Sequence, residues 1–509
     1  MAGMAGMVYG IVSSIVSSIG AGKRPVRHRI ARQGSNFEHT RFPMHPGRVT
    51  DQQQKNGGGA PRQGKGADAL GAYLRRRALH PPLIQAQPHH RLGLVVVIPS
   101  HDEPELTATL ADLWACRRPP CAVEVIVAFN RAGDAPGDLA RRHEAQVAGA
   151  REWAAGHSET RLRFHLLDFP GLPQRHAGVG LARKLGMDQA VARLAAAGNP
   201  SAPIACLDAD CRVAPDYLTA LERHFTLHPD TPACSLHFEH DWEHDWEHAP
   251  GGRAGRRERE GIVQYEMHLR CVVAGLRLAG HPHAFHTVGS AMAVRADAYA
   301  RQGGMNRRKA AEDFYFLAKL MPLGGFSVLT GTTVIPSARR SHRVPFGTGR
   351  AMTDWLAGRP SSSPAAFPTE FPKAFPTAAP ESYRSLGRLL EGLPGLHGSG
   401  AAGLSTFLST QDAVMAGFLE TAGFPGRLAE IRNNTASPAT FHGRMMRWWD
   451  RFRVLKWMHF ARDRAWPDLP AEQAAAELLA WDGRPVPSGD GFSRRVALLR
   501  ALREWDREQ

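Results

Sequence analysis

Asp208-Ala209-Asp210 directly follows the apolar run Pro203–Leu207 (PIACL). Two carboxylates at the end of a strand can hold Mg2+ or Mn2+, which prefer oxygen ligands and leave open positions for phosphate oxygens. The same pattern also suits a turn in which aspartates cap a helix opening near Pro215. Glu312-Asp313 opens a second predicted helix, Ala310–Leu320, just after Gly303-Gly304-Met305. The helix dipole favours a carboxylate in a first turn on its own account. Paired with the upstream D-x-D, Asp313 becomes a candidate general base, because such a base must reach a hydroxyl proton at a suitable pKa. Gly178-Val179-Gly180 starts a long predicted helix and puts Arg183 one turn further on, where close packing and diphosphate pairing are both open. The basic loop Arg339–Gly349 (RRSHRVPFGTG) fits a departing diphosphate or a solvated surface equally well.

The elements that must carry these residues alternate between strand and helix. Leu92–Pro99 (LGLVVVIP) reads as a strand of the kind buried on both faces, and Val123–Phe129, Leu162–Leu167 and Pro203–Leu207 read as further strands. Glu105–Cys116, Asp138–Ala155 and Ala177–Ala197 read as the helices between them. This alternation predicts an α/β fold with a mostly parallel sheet flanked by helices. Ligands gather at the carboxyl ends of such strands, here Pro99–Glu103, Asn130 and Asp208–Asp210. Further on, Glu260–Arg277 reads as a helix and Gly289–Val294 as a strand. The expected division is a disordered basic extension over 1–66, the α/β domain over 67–358, a Pro-rich linker over 359–380 and a helical region over 381–509.

The chain has 509 residues, 43% of them hydrophobic, which suits a protein with a substantial core. Its formal charge is +15, but residues 1–91 carry +11 of it and the remaining 418 only +4. A nucleic-acid-binding body is therefore not expected. The basic arm is a candidate for peripheral contact with an anionic membrane, with a targeting tail and an extension of no role as the other readings. Val8–Ile19 falls short of the ~18–20 apolar residues of a spanning helix. The expected location is the cytoplasm, or the inner membrane surface through that arm. The six cysteines match no common zinc or redox spacing and read as reduced thiols.

Taken in order, P-x-x-D-E at Pro99–Glu103, G-x-x-x-A-R-K-x-G at Gly178–Gly186, L-D-A-D at Leu207–Asp210 and G-G-M followed by E-D-F at Gly303–Phe314 resemble the nucleotide-sugar glycosyltransferases of family 2, with the GT-A fold. The resemblance covers roughly Leu92–Gly349. It implies a nucleoside-diphosphate sugar as donor, UDP-linked by family habit, a saccharide or lipid-linked acceptor, Mn2+ or Mg2+ as cofactor, and transfer with inversion. By position, Pro99, His101 and Glu103 match the segment that contacts nucleobase and ribose, and Arg183 the nucleotide-contacting arginine. Asp208 matches the aspartate near the ribose, also a metal ligand, Asp210 the metal-binding one and Asp313 the catalytic base. His342 resembles a late metal-ligating histidine, while Gly289, Ser290 and Glu312 fall on the acceptor side with the Pro-rich loop as a lid.

Several positions depart from that pattern. Asp102 stands in place of the usual Asn, Lys184 in place of the Asn after the arginine, and the second strand ends in Ala128-Phe129-Asn130 without an acidic pair. The donor nucleotide is left open by that last departure. A nucleotidyltransferase is the rival reading, but it would use a Gly-rich basic loop after the first strand, and Ser100–Pro104 contains no Gly. A catalytically degenerate sugar-nucleotide binder is another. A metal-hydrolase or metal-storage reading rests on the run His237–His248, whose spacing puts His240, His244 and His248 on one face if helical and fits an exposed loop with adventitious metal affinity equally well. Deleting residues 1–66 separates enzyme from nucleic-acid binder: turnover is expected to persist, whereas a binder relying on the arm would lose its salt-dependent affinity in a filter-binding assay.

Overall fold

The computed structural model describes residues 62–242, 253–341, 347–358 and 374–509. The predicted βαβ alternation is present. β1 (Leu92–Ser100), β2 (Ala122–Ala132), β3 (Leu162–Leu172) and β4 (Pro203–Cys206) pair in parallel in the order β3-β2-β1-β4. The helices Leu106–Ala115, Gly137–Gly156 and Val179–Ala196 connect them. Side chains alternate across β1: Leu94, Val96 and Ile98 enter one core and Val95 and Val97 the other, all fully buried. Burial on both faces is why β1 reads as an unbroken apolar run rather than an alternating one, whereas β3, at the edge of the sheet, is only partly buried.

The sheet continues through β5 (Arg212–Val213), β6 (Ala233–Phe238), β7 (Met292–Arg295) and β8 (Ser327–Ile335), giving eight strands in the order 3-2-1-4-7-6-8-5. The pairs β4–β7, β7–β6 and β8–β5 are antiparallel and the other four parallel. The run Gly289–Val294, expected as one strand, forms β7 only from Met292, since the residues before it turn, with the Ala291 N–H donating to the Val288 carbonyl at 3.0 Å. The chain runs outward from β1 through β2 to β3 and then returns to β1's other side as β4. Strand order therefore reverses between β1 and β4, where a crevice opens at the carboxyl ends of an open α/β sheet.

A third core joins the long helix Arg253–Leu278 to helices of residues 380–507. A buried ion network fastens this layer to the sheet. Arg270 pairs with Glu266 and, at 2.5 Å, with Asp506; Arg503 reaches Glu266 at 2.7 Å and Glu239 at 2.9 Å. The helical C-terminal region is thus continuous with the α/β body. No helix among the described residues is long and apolar enough to cross a membrane, and all six cysteines are free thiols. Residues 1–61, His342, His244, His248 and most of 359–380 lie outside the described residues, along with the expectations placed on them. The described start of the histidine-rich run is not an exposed loop, since His237 lies on β6 and His240 is buried with its N–H bonded to Glu266.

Inside the sheet, Glu124 on β2 takes a two-pronged contact from Arg193 at 2.6 and 2.7 Å, both side chains buried. Burial alone would raise the Glu124 pKa, but Arg193 and His165 pull it down to about 2. Its stabilising contribution is complete above the ordinary value of 4.5 and disappears as pH falls through about 2. Glu124→Gln is expected to cost about 3–5 kcal/mol at neutral pH by stranding Arg193. The gap between wild type and variant in urea unfolding should narrow steadily from pH 5 to pH 2.

Candidate functional site

Arg183 projects from the first turns of the helix Val179–Ala196 into the β1/β4 crevice and is only 2% exposed. Its guanidinium bonds Glu312 through Nη1 and Asp208 through Nη2. One side chain therefore joins the end of β4 to the start of the helix Glu312–Leu320. Burial works against its charge, but Asp208, Cys206 and Asp313 hold its pKa above the ordinary arginine value. Close approach explains the small residues around it. A Cβ on Gly289 would sit 2.6 Å from Arg183 Nη1, and one on Gly180 would strike the Arg308 carbonyl and stand 2.9 Å from Glu312 Cβ. The G-x-G element is thus a packing device at this helix, and Arg183 is its payload at the cleft.

Asp313, next to Glu312, has a raised pKa. Burial is the main cause and the Asp208 charge adds to it, while Arg183 and the backbone N–H groups of Phe314 and Gly289 pull the other way. The Phe314 N–H donates to Asp313 Oδ1 at 2.7 Å. A carboxylate whose pKa is raised is a better proton acceptor than an ordinary aspartate.

On the other side of the crevice, Arg339 follows β8 and bonds Glu103, with Asp210 Oδ2 3.5 Å away. Glu103 also accepts the Glu105 N–H at 3.0 Å and is 2% exposed. Its carboxylate is directed at Arg339, so it sets that arginine's position. The His101 Nδ1 lies 2.7 Å from the Asn130 carbonyl, which can only accept; the proton is on Nδ1 and Nε2 is left as the second ring nitrogen. Lys184 turns to the opposite face of its helix, where it donates to Tyr73 at 2.6 Å and pairs with Asp188 at 3.0 Å. It takes no part in the cleft.

These groups share one cavity of about 530 Å³. Pro99, His101, Glu103, Arg183, Asp208 and Asp210 line it. So do Gly289, Ser290, Glu312 and Asp313. Every expected site residue within the described chain is therefore on its wall. Glu312, expected on the acceptor side, lines the cavity with its carboxylate paired to Arg183. Sequence reasoning singled out neither the pairing role of Arg339 nor the wall contributed by residues 451–458, since nothing in local spacing links residues more than 100 positions apart.

Asp208 and Asp210 keep 37% and 25% of their side chains accessible. Among the described residues no group of three or more His, Cys, Asp or Glu could hold a metal by itself. Two carboxylates nonetheless fit an Mg2+-type ion, which commonly takes one or two protein carboxylates and completes its shell with substrate phosphates and water.

A scan against protein-family models finds no match, and a search of curated proteins finds none. Among solved structures, S. aureus TarS 1-349 is 14% identical with a TM-score of 0.31, over 48% of this chain and 60% of that one. The same fragment in complex with UDP-GlcNAc is 12% identical with a TM-score of 0.35, over 82% of this chain and 88% of that one. The mannosyltransferase PcManGT from Pyrobaculum calidifontis, in complex with GDP-Man and Mn2+, is 15% identical with a TM-score of 0.31, over 76% and 99%.

Arg183→Leu would strand Glu312 in a buried site and is expected to cost about 3–5 kcal/mol in urea unfolding. Replacing both Arg183 and Glu312 by Leu should recover most of that loss. A double variant as unstable as the single one would show that the pair is not the bond that matters.

Proposed function

We propose that the chain is a glycosyltransferase of the GT-A type that moves a sugar from a nucleoside-diphosphate donor to an acceptor hydroxyl. The observation that carries this reading is the meeting of Asp208-x-Asp210 and Asp313 on one cavity, with the buried Arg183 bonded to the first and electrostatically coupled to the last.

The chemical problem is to displace a diphosphate from an anomeric carbon. As the acceptor oxygen bonds that carbon, the bond to the diphosphate oxygen breaks and its electron pair leaves with the diphosphate. Asp313 receives the hydroxyl proton as attack proceeds. A single displacement of this kind inverts the anomeric centre. Negative charge develops on the departing oxygens, and fixed positive groups aimed there lower the barrier because they need no reorganisation. Arg183 and Arg339 are two such groups, and Lys309 on the same wall is a third. Asp208 and Asp210 would hold Mn2+ or Mg2+, which when bound supplies further positive charge against the diphosphate. His101 and Asn130, at the ends of β1 and β2, supply polar groups for the nucleoside end.

Incubation with a panel of UDP-, GDP- and other sugar nucleotides in the presence of Mn2+ tests this reading and names the donor, through slow hydrolysis even without acceptor. A chain that neither binds nor hydrolyses any of them is not a transferase of this kind. Asp313→Asn is expected to lower transfer by about 10²–10⁴-fold with donor affinity kept. Because the Asp313 pKa is raised, activity should be lost on acidification at a pH above the ~3.9 of an ordinary aspartate. A kcat/KM profile flat to pH 4 would remove the base assignment.

A further inference from the structure

Beyond the charged rim, the cavity changes character. Leu269, Val272, Val273 and Leu276 stand at i, i+3, i+4 and i+7 on the helix Arg253–Leu278, and all four line it. Arg451, Val454, Leu455 and Met458 repeat the same spacing on the helix Arg451–Arg464 and line the same space. Two helical stripes from distant parts of the chain thus bound an apolar chamber that opens on Asp313. The second helix is anchored there through Phe452, whose ring centroid lies 4.9 Å from that of Phe314.

Arg451 is the exception within this lining. It is 7% exposed, and its Nη1 donates to the carbonyls of His283 at 2.7 Å and Phe285 at 3.0 Å. No carboxylate among the described residues pairs with it, and burial lowers its pKa to about 10. Its guanidinium carbon lies 5.7 Å from the centre of the Phe314 ring, directly after Asp313. A buried cation without a counter-ion is costly to hold, and on the wall of the cavity the missing anion is one a ligand can bring.

We propose that this chamber binds the acceptor, and that the acceptor is an amphiphile whose apolar body lies between the two helices and whose oxyacid group, carboxylate or phosphate, is held by Arg451 beside the reacting hydroxyl. The proposal rests on the transferase reading and narrows it. An acid group at this point also fixes the hydroxyl end toward Asp313, so that the apolar body extends away from the diphosphate cleft.

The test uses the full chain and calorimetric titration with decanoate, decyl phosphate and decanol below their aggregation limits. Both acids are expected to bind at least about ten-fold more tightly than the alcohol, as a charge-assisted contact predicts. The tighter of the two identifies the oxyacid. In Arg451→Gln the three affinities should converge to within about three-fold. Should that variant fail to fold, Met458→Trp narrows the chamber with the arginine in place, and acid binding should fall about ten-fold as the filled volume excludes the chain. Absence of binding, equal binding of alcohol and acids, an acid preference that survives in folded Arg451→Gln, or unchanged binding in Met458→Trp would each overturn the proposal. Donor hydrolysis is read on the same samples. Hydrolysis without acid preference removes this inference alone, whereas acid preference without any donor binding removes the transferase setting on which it rests.

Discussion

The site depends on one buried guanidinium. Arg183 binds the end of β4 through Asp208 and the start of the helix Glu312–Leu320 through Glu312. Without that double contact two segments more than 100 residues apart would have no reason to present their carboxylates to a common space. The cost of burying a cation is offset only because two anions meet it with hydrogen-bonding geometry. The arrangement also explains why Gly180 and Gly289 are glycines: any side chain there would push apart the elements that Arg183 draws together.

Strain accompanies this constraint. Among the described residues, the only non-glycine positions with positive φ are Asp102 at 48° and Ala311 at 59°. Asp102 lies in the turn after β1, between His101 and Glu103, and its carboxylate is tied to Arg142 at 2.9 Å. Ala311 immediately precedes Glu312 and Asp313. Each such conformation costs of order 1–3 kcal/mol, and persists where surrounding contacts over-determine it. Both positions flank the cleft, where the backbone is held by Arg339 and Glu103 on one side and by Arg183 and Glu312 on the other.

The parallel half of the fold was legible because burial on both faces leaves a plain signature: apolar runs at β1 and β4, and at β2 one interrupted only by Glu124 over Ala122–Phe129, separated by helical periodicity. The antiparallel half was less so. β6 (Ala-Cys-Ser-Leu-His-Phe) carries Ser235 and His237 in buried positions, and no local pattern announces that two polar residues of one strand are buried. Asp208, Asp210 and Asp313 stood out because strand ends and helix starts are where chemistry collects. The tasks of Glu312 and Glu103 did not, since a carboxylate's partner is fixed by tertiary approach and not by its neighbours in sequence. Lys184 shows the converse: adjacent to Arg183 in the motif, it faces a different side of its helix and joins Tyr73, Asp188 and Tyr299.

The pairing of Arg270 with Asp506 spans 236 positions of the chain. During ribosomal synthesis the α/β strands emerge long before that aspartate does, so the nascent polypeptide passes through a stage in which Arg270 has its Glu266 contact but lacks its second counter-ion and the long helix lacks its covering layer. Contacts of such long range slow maturation and leave apolar surface open to aggregation in the interval. Overproduction in a host should therefore yield more native material when translation is slowed or holding chaperones are abundant than when the chain is released quickly in their absence.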